Sequence, residues 1–214
     1  MNHYYERLVK RETMLNLRRA EKDLRSAFFA VSDLLGVSKE KIDFFVNRDV
    51  IKSIEKDRKR MEKPLERMRH YLEVSFPNYE VHGRIKSLTS ILGKFMQDRT
   101  LLDAFGFKIV IPTTECESEE EAIERCYEVQ KWVEANFKII GNEVNDRIKN
   151  PKANGYQDLK MVVEYNNLMV EIMVQTQKMF DNAKYGYQSH EKAYPWKYHP
   201  AIKNLPEKYK EKKI

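Results

Sequence analysis

The sequence predicts an α/β fold of the α+β kind: a mixed sheet flanked by helices, with further helical segments at both ends. Three observations carry this. Apolar residues recur at helical spacing through the first seventy positions. From AFGFKIVIP onward, segments of strand and helix character alternate. Two apolar strands then follow one another across an Asn166-Asn167 turn.

From Tyr5 to about Leu35, Leu8, Leu15, Leu17, Ala20, Leu24, Phe28, Val31 and Leu34 mark one face of an amphipathic helix that stops at Gly36. Ser38 is placed to cap KEKIDFFVNR. A third helix is expected from Val50 to Arg69, with Pro64 as a break or kink. Beyond Pro77, Tyr79 and Val81 alternate with polar residues as in a short strand, and RIKSLTSILGKFMQ reads as a helix capped by Ser87. In AFGFKIVIP, Phe105, Phe107, Ile109 and Ile111 share one face, with Gly106, Lys108 and Val110 on the other. SEEEAIERCYEVQKWVEANF is a helix whose first-turn acids complement its dipole. RIKNPKANGYQDLKMVVEY runs from a Pro- and Gly-containing loop into a strand, and LMVEIMVQT pairs with it as a hairpin. QKMFDNAKYGYQSHEKAY is expected to be the last helix, and the tail from Pro195 a partly ordered extension. The expected divisions are a helical segment 1–78, a catalytic domain 79–194 and a C-terminal extension 195–214.

At 214 residues, 42% hydrophobic and 34% charged, the chain has the balance of a folded protein with one principal activity. Cys116 and Cys126 lie in a stretch read as helix, which argues against a disulfide framework or metal cluster. No apolar run has the length of a membrane span, so a cytoplasmic protein is expected, with no membrane partner. The net charge of +6 suits a phosphate-bearing ligand or an RNA surface, and does not choose between them.

Four constellations can carry chemistry. Glu171 interrupts an apolar strand, where a carboxylate is costly without a cation or metal, although an edge strand facing water would also explain it. Asp103 stands just before another strand, at a place where a turn-favouring aspartate is also ordinary. Lys86, Ser90 and Lys94 are spaced four apart near Arg84, as a phosphate cradle or simply a basic helix face. Tyr156 follows a glycine turn and offers an aromatic face to a base, as any turn tyrosine does.

Taken in order, these segments resemble the synthetase domain of the RelA/SpoT family, in its small single-domain form. GRIKSLTSILGKF resembles that family's G-R-x-K-x-x-x-S-x-x-x-K segment, and LLDAFGFKIVI its D-x-x-x-x-R-x-I strand opening. IKNPKANGYQDLK is similar to K-x-P-K-x-N-x-Y-x-S-L-H, VEIMVQT to V-E-x-Q-x-R-T, and MFDNAKYGYQSH to M-H-x-x-A-E-Y-G-x-x-x-H. The resemblance covers Gly83 to His190 and implies a nucleotidyltransferase-like fold that makes guanosine alarmones, moving pyrophosphate from ATP to the 3′-hydroxyl of GDP or GTP.

The resemblance also implies roles. Asp103 and Glu171 are the catalytic carboxylates and would hold Mg²⁺. Arg84 and Lys108 flank the adenine of ATP, with Lys86, Ser90 and Lys94 near its phosphates. The acceptor nucleotide falls to Lys149, Lys152, Asn154 and Tyr156, together with Lys160, Gln175 and His190; Tyr156 would stack on the guanine. The sequence departs from the pattern at Lys108, which replaces an arginine, and then on the acceptor side. There Asp158 replaces a serine, Lys160 a histidine, and Met173 and Gln175 a glutamine and an arginine. These departures leave room for a toxin-type enzyme that pyrophosphorylates the 3′ end of tRNA or another nucleotide, with an antitoxin as partner, and for a noncatalytic RNA-binding module. A homo-oligomer assembled through the long first helix is a further expectation. The family's hydrolase uses a separate His-Asp domain, and the first eighty residues hold no such pair, so a synthetase alone is expected.

Overall fold

The computed structural model describes residues 2–115, 118–141, 144–185 and 194–214. The chain divides into two compact units: Met1–Arg60 with Ser87–Leu101 and Pro195–Lys210, and Met61–Lys86 with Leu102–Tyr194 and Glu211–Ile214.

The first unit is helical. α1 (Asn2–Ala30) and α2 (Ser32–Leu35) together make the expected first helix, which ends at Gly36 in the left-handed region at φ 69°. α3 (Lys39–Phe45) is capped by the Ser38 side chain, which accepts from the Lys41 N–H. α4 (Arg48–Ser75) outruns the expected helix at both ends and carries Pro64 within it; its first part belongs to this unit and its remainder to the other. α5 (Leu88–Met96) starts at the predicted Ser87 cap. The tail from Pro195 is more ordered than expected: α8 (Pro195–Tyr198) and α9 (Pro200–Lys203) build into this unit's core. Trp196 is buried, packs 6.2 Å from the Phe28 ring, and covers Gly93 so closely that a Cβ there would lie 2.7 Å from the indole. Burying an indole of this size is what holds so short a helix in place.

The second unit holds a six-stranded mixed sheet flanked by helices, as the sequence predicts. Its strands are β1 (Glu80–Ile85), β2 (Phe105–Ile111), β3 (Asn145–Asp146), β4 (Leu159–Tyr165), β5 (Leu168–Thr176) and β6 (Lys212–Lys213), in the order β3-β4-β5-β2-β1-β6. Among the described residues only β2 and β5 run parallel. The β4–β5 hairpin turns at Asn166 and Asn167, both with positive φ (51° and 59°), which is the geometry asparagine tolerates and a tight hairpin requires. β6 was not legible in the sequence; it is two residues long and pairs with Arg84 and Ile85.

α6 (Glu119–Asn136) is capped by Ser118 and buries Ala122, Cys126, Val129 and Val133. α7 (Gln177–Tyr185) follows β5 directly. The last helix predicted from the sequence extends beyond α7 into 186–193, which lie outside the described residues, as does Cys116. One sheet face is core: Phe105, Phe107, Ile109 and Ile111 with Ile172, Val174, Met161 and Val163 are all buried.

Candidate active site

The other sheet face gathers the candidate polar residues, and strand register puts them there. Arg84 lies opposite Gly106, Gly106 beside Glu171, and Glu171 opposite Val162, so these four form one row across the sheet. The next row is His82, Lys108, Met173 and Lys160. Side chains of paired residues emerge on the same face. Lys108, Lys160 and Glu171 therefore share a side, opposite the Phe105, Phe107 and Ile109 core, as the periodicity predicts; Asp103, expected on that side too, precedes β2 and is not placed by its register.

Glu171 is only 3% exposed, and its charge is met by two cations. Lys160 pairs with Oε2, and the Arg84 guanidinium comes within 3.9 Å of Oε1. Gly106 makes that second approach feasible, because nothing projects from the strand between Arg84 and Glu171. Arg84 also reaches Glu211 at 3.3 Å, just before β6. Lys108 lies over the Phe180 ring of α7 at 4.8 Å, and that ring stacks on His82 at 5.5 Å. Burial pulls the Lys108 pKa below the ordinary lysine value, and the neighbouring Arg84 charge adds to this.

Asp103 stands two residues before β2 and pairs with Lys86. The expected helix face of Lys86, Ser90 and Lys94 is not formed as drawn. Lys86 precedes α5 and continues the strand direction of β1, its N–H donating to the Ala104 carbonyl at 2.8 Å. Ser90 and Lys94 lie on α5 in the first unit, while Arg84, Lys86 and Lys108 belong to the second. The Ser90 hydroxyl accepts from Ser87 Oγ at 2.8 Å.

The loop before β4, expected to face the acceptor, is tied down by its own polar side chains. Asp146 Oδ1 accepts from the N–H groups of Ile148 and Lys149 at 3.1 and 3.0 Å, and both its oxygens meet the Tyr127 hydroxyl. Asn154 Oδ1 accepts from the Tyr156 N–H at 3.2 Å, shaping the turn into that residue. Lys149 sits over the Tyr127 ring at 4.8 Å and Lys152 over the Tyr156 ring at 5.1 Å. Asp158 is fully buried, paired with Arg147 at 3.0 Å and accepting from the Tyr156 hydroxyl at 3.0 Å. Burial and the adjacent Asp158 carboxylate push the Tyr156 pKa up. Gln175 is buried, with Nε2 donating to the Gln157 carbonyl at 2.7 Å. His190 lies outside the described residues.

Three contributors escaped the sequence reading. Arg147 and Glu211 carry no local pattern and are recruited only by folding; Phe180 was legible only as a helical aromatic. Among the described residues no cluster of three or more His, Cys, Asp or Glu side chains forms a metal cage, and no helix is long and apolar enough to cross a membrane.

Residues 83–199, more than half the chain, match the model of the region found in RelA / SpoT proteins. The chain belongs to the RelA/SpoT family. It is 29% identical over 147 residues to a GTP pyrophosphokinase of Haemophilus influenzae, covering 66% of this chain and 18% of that one. A probable guanosine-3′,5′-bis(diphosphate) 3′-pyrophosphohydrolase of Mycoplasma pneumoniae is 30% identical over 132 residues, 60% of this chain and 16% of that one. The chain thus spans less than a fifth of either relative. The small alarmone synthetase 2 of Bacillus subtilis superposes with a TM-score of 0.47 at 22% identity, over 64% of this chain and 78% of that one. Within the RelA/SpoT region, Arg84, Asp103, Tyr156 and Glu171 all fall inside the matched span.

Proposed function

We propose that this protein is a cytoplasmic GTP pyrophosphokinase that transfers pyrophosphate from ATP to the 3′-hydroxyl of GDP or GTP. The observation that carries the reading is the buried Glu171, fixed on a sheet face beside Arg84, Lys108 and Lys160, in a chain of the RelA/SpoT family. Two of the relatives' names bear on the same chemistry: one is called a GTP pyrophosphokinase and the other a hydrolase of the corresponding 3′-pyrophosphate.

Transfer of a phosphoryl or pyrophosphoryl group asks a protein mainly for alignment and charge neutralisation. The sheet face supplies both. Arg84 and Lys108 are cations rigidly set on β1 and β2, suited to the adenine and polyphosphate of the donor. Glu171 is held by its strand and by Arg84 and Lys160, so its oxygens present a fixed acceptor for the attacking hydroxyl proton. Asp103 and Glu171 offer hard carboxylate oxygens of the kind magnesium takes, and each is paired with a lysine that a divalent cation would have to replace or join. When bound, such a cation supplies charge neutralisation on the transferred phosphates.

The test is an incubation with labelled ATP, Mg²⁺ and, separately, GDP, GTP, an adenine nucleotide or deacylated tRNA. Label on a guanosine nucleotide is expected, and Glu171→Gln should lower its rate roughly 100- to 1000-fold. Label on tRNA alone would establish the toxin-type acceptor instead, and label on nothing would overturn the enzymatic reading.

A further inference from the structure

Arg84 is held by the edges of its guanidinium. Its Nε is buried with no hydrogen-bond partner among the described residues, so the head is oriented through its two terminal nitrogens. Nη1 donates to Glu211 Oε2 at 3.3 Å, and Nη2 lies 3.9 Å from Glu171 Oε1. The N–H bonds of a guanidinium lie in its plane, so carboxylates that meet them leave the flat faces for a planar π system.

The two carboxylates reach Arg84 from different places. Glu171 belongs to β5, in the same row of the sheet, whereas Glu211 is carried in by the chain just before β6. There Lys213 pairs with Arg84 and Lys212 with Ile85, and the Ile214 N–H donates to the Gly83 carbonyl at 2.9 Å. Lys212 Nζ adds an ion pair to Glu62 of α4 at 2.8 Å. Side chains alternate along a strand, so Lys212 points one way while Lys213 and Glu211 fall on the Arg84 side. Glu211 also lies outside residues 83–199, the span that matches the RelA/SpoT region, so no family motif speaks for it.

We infer that Glu211 is a positioning residue for the donor nucleotide: it fixes the plane of the Arg84 guanidinium so that a flat face, rather than an edge, meets the base of ATP. The inference rests on the pyrophosphate-transfer reading. The resemblance gives Arg84 the adenine and leaves open what turns its face outward. A guanidinium with a free edge forks readily onto a phosphate. With Glu211 on Nη1, a phosphate approaching that edge meets a carboxylate instead, and the base is left the face.

The Glu211 side chain is 46% exposed and that of Arg84 31%, and a pair this open adds little to folding, so Glu211→Ala and Glu211→Gln should fold. The Kd of a non-hydrolysable ATP analogue by calorimetry, and KM for ATP and for GDP, are measured for each variant and for the unaltered protein. Glu211→Ala should weaken ATP about fivefold, in both Kd and KM, while KM for GDP stays within about twofold. Glu211→Gln, which keeps an acceptor oxygen at the same reach, should recover most of that loss. In an Arg84→Lys background there is no plane to fix, and Glu211→Ala should add nothing. Tighter ATP binding in Glu211→Ala would make Glu211 a competitor for Arg84. That outcome, an equal shift in both substrates, no shift in either, or a full effect in the Arg84→Lys background overturns the inference. If the unaltered protein binds the analogue but transfers nothing, the functional reading fails while the Kd series still decides the role of Glu211. If it binds none, that role fails as well.

Discussion

The sides of the sheet proposed to take the donor and the acceptor are stabilised in different ways. On the proposed donor side, β1 and β2 hold Arg84 and Lys108 by strand position, and the Lys108 ammonium is disfavoured by burial first and by the neighbouring Arg84 charge second. On the acceptor side the polar residues satisfy each other: Arg147 with Asp158, Asp158 with Tyr156, Lys160 with Glu171, Tyr127 with Asp146. In the first region the Lys108 ammonium is disfavoured and a polyanion would relieve it; in the second the charged groups are paired before any ligand arrives. A site that must take a highly charged donor and then place a flat acceptor accurately needs both arrangements.

The sharpest way to break that contrast is Asp158→Ala. It leaves Arg147 in a largely buried position without its carboxylate and frees the Tyr156 hydroxyl, and removing one partner of a buried pair costs about 3–5 kcal/mol. Chemical denaturation should show that loss. A loss below about 1 kcal/mol, the range of exposed pairs, would mean that the acceptor network contributes no rigidity.

Gly106→Ala probes the seam between the two sides. A Cβ at that position would stand 3.1 Å from the Glu171 carbonyl oxygen, on the parallel β2–β5 pairing, and would intrude between Arg84 and Glu171. Crowding of this kind costs about 1–3 kcal/mol. The melting temperature should fall, and the transfer rate should fall by more than the fraction unfolded explains, because the carboxylate is displaced. Unchanged kinetics would show that Arg84 and Glu171 need no clear line of approach.

Much of this contrast was legible beforehand. The periodicity of FGFKIVI assigned Lys108 and the Phe105, Phe107 and Ile109 core to opposite faces, and an apolar strand around a single glutamate singled out Glu171. Ser38, Ser87 and Ser118 announced their helices because capping is a local interaction between a side chain and the N–H groups of the next turn. What escaped is non-local. Arg147 meets Asp158 across eleven residues and Glu211 meets Arg84 across 127, and no spacing rule reaches such pairs. Lys86 was misplaced onto a helix because a four-residue spacing looks the same whether its first member precedes the cap or follows it. The tail was underestimated because a single tryptophan, Trp196, supplies its anchoring, and one apolar residue makes no pattern.

Lys108→Met tests the donor side through pH. The Lys108 pKa lies lower in the folded protein than in the unfolded chain, so the folded state holds its proton at a cost at neutral pH. That cost is shed as the pH rises through the lowered folded value, while the unfolded chain still binds the proton. Relative to Lys108→Met, the unaltered protein should therefore gain stability from neutral toward alkaline pH, up to the ordinary lysine value near 10.4. A stability difference that stays flat across this range would mean that Lys108 feels neither burial nor Arg84.

The smallest effect is expected at Tyr127, on the acceptor side. Burial and the hydrogen bonds to Asp146 push its pKa up to about 12, and the same Asp146 shapes the loop through Ile148 and Lys149. Its folded value lies above the ordinary tyrosine value near 10, so the neutral hydroxyl contributes stability that is complete below pH 10 or so. That contribution is lost between about 10 and the folded value of about 12. Tyr156 and Tyr209 are pushed up as well, so absorbance at alkaline pH should show several late-titrating tyrosines, one fewer in Tyr127→Phe, with a stability loss of about 0.5–1.5 kcal/mol at neutral pH. The same variant should weaken the acceptor slightly and ATP not at all, since Asp146 retains its backbone partners and the loop keeps its turn. If ATP weakened equally, the acceptor loop would not be the separately braced region that its hydrogen bonds describe.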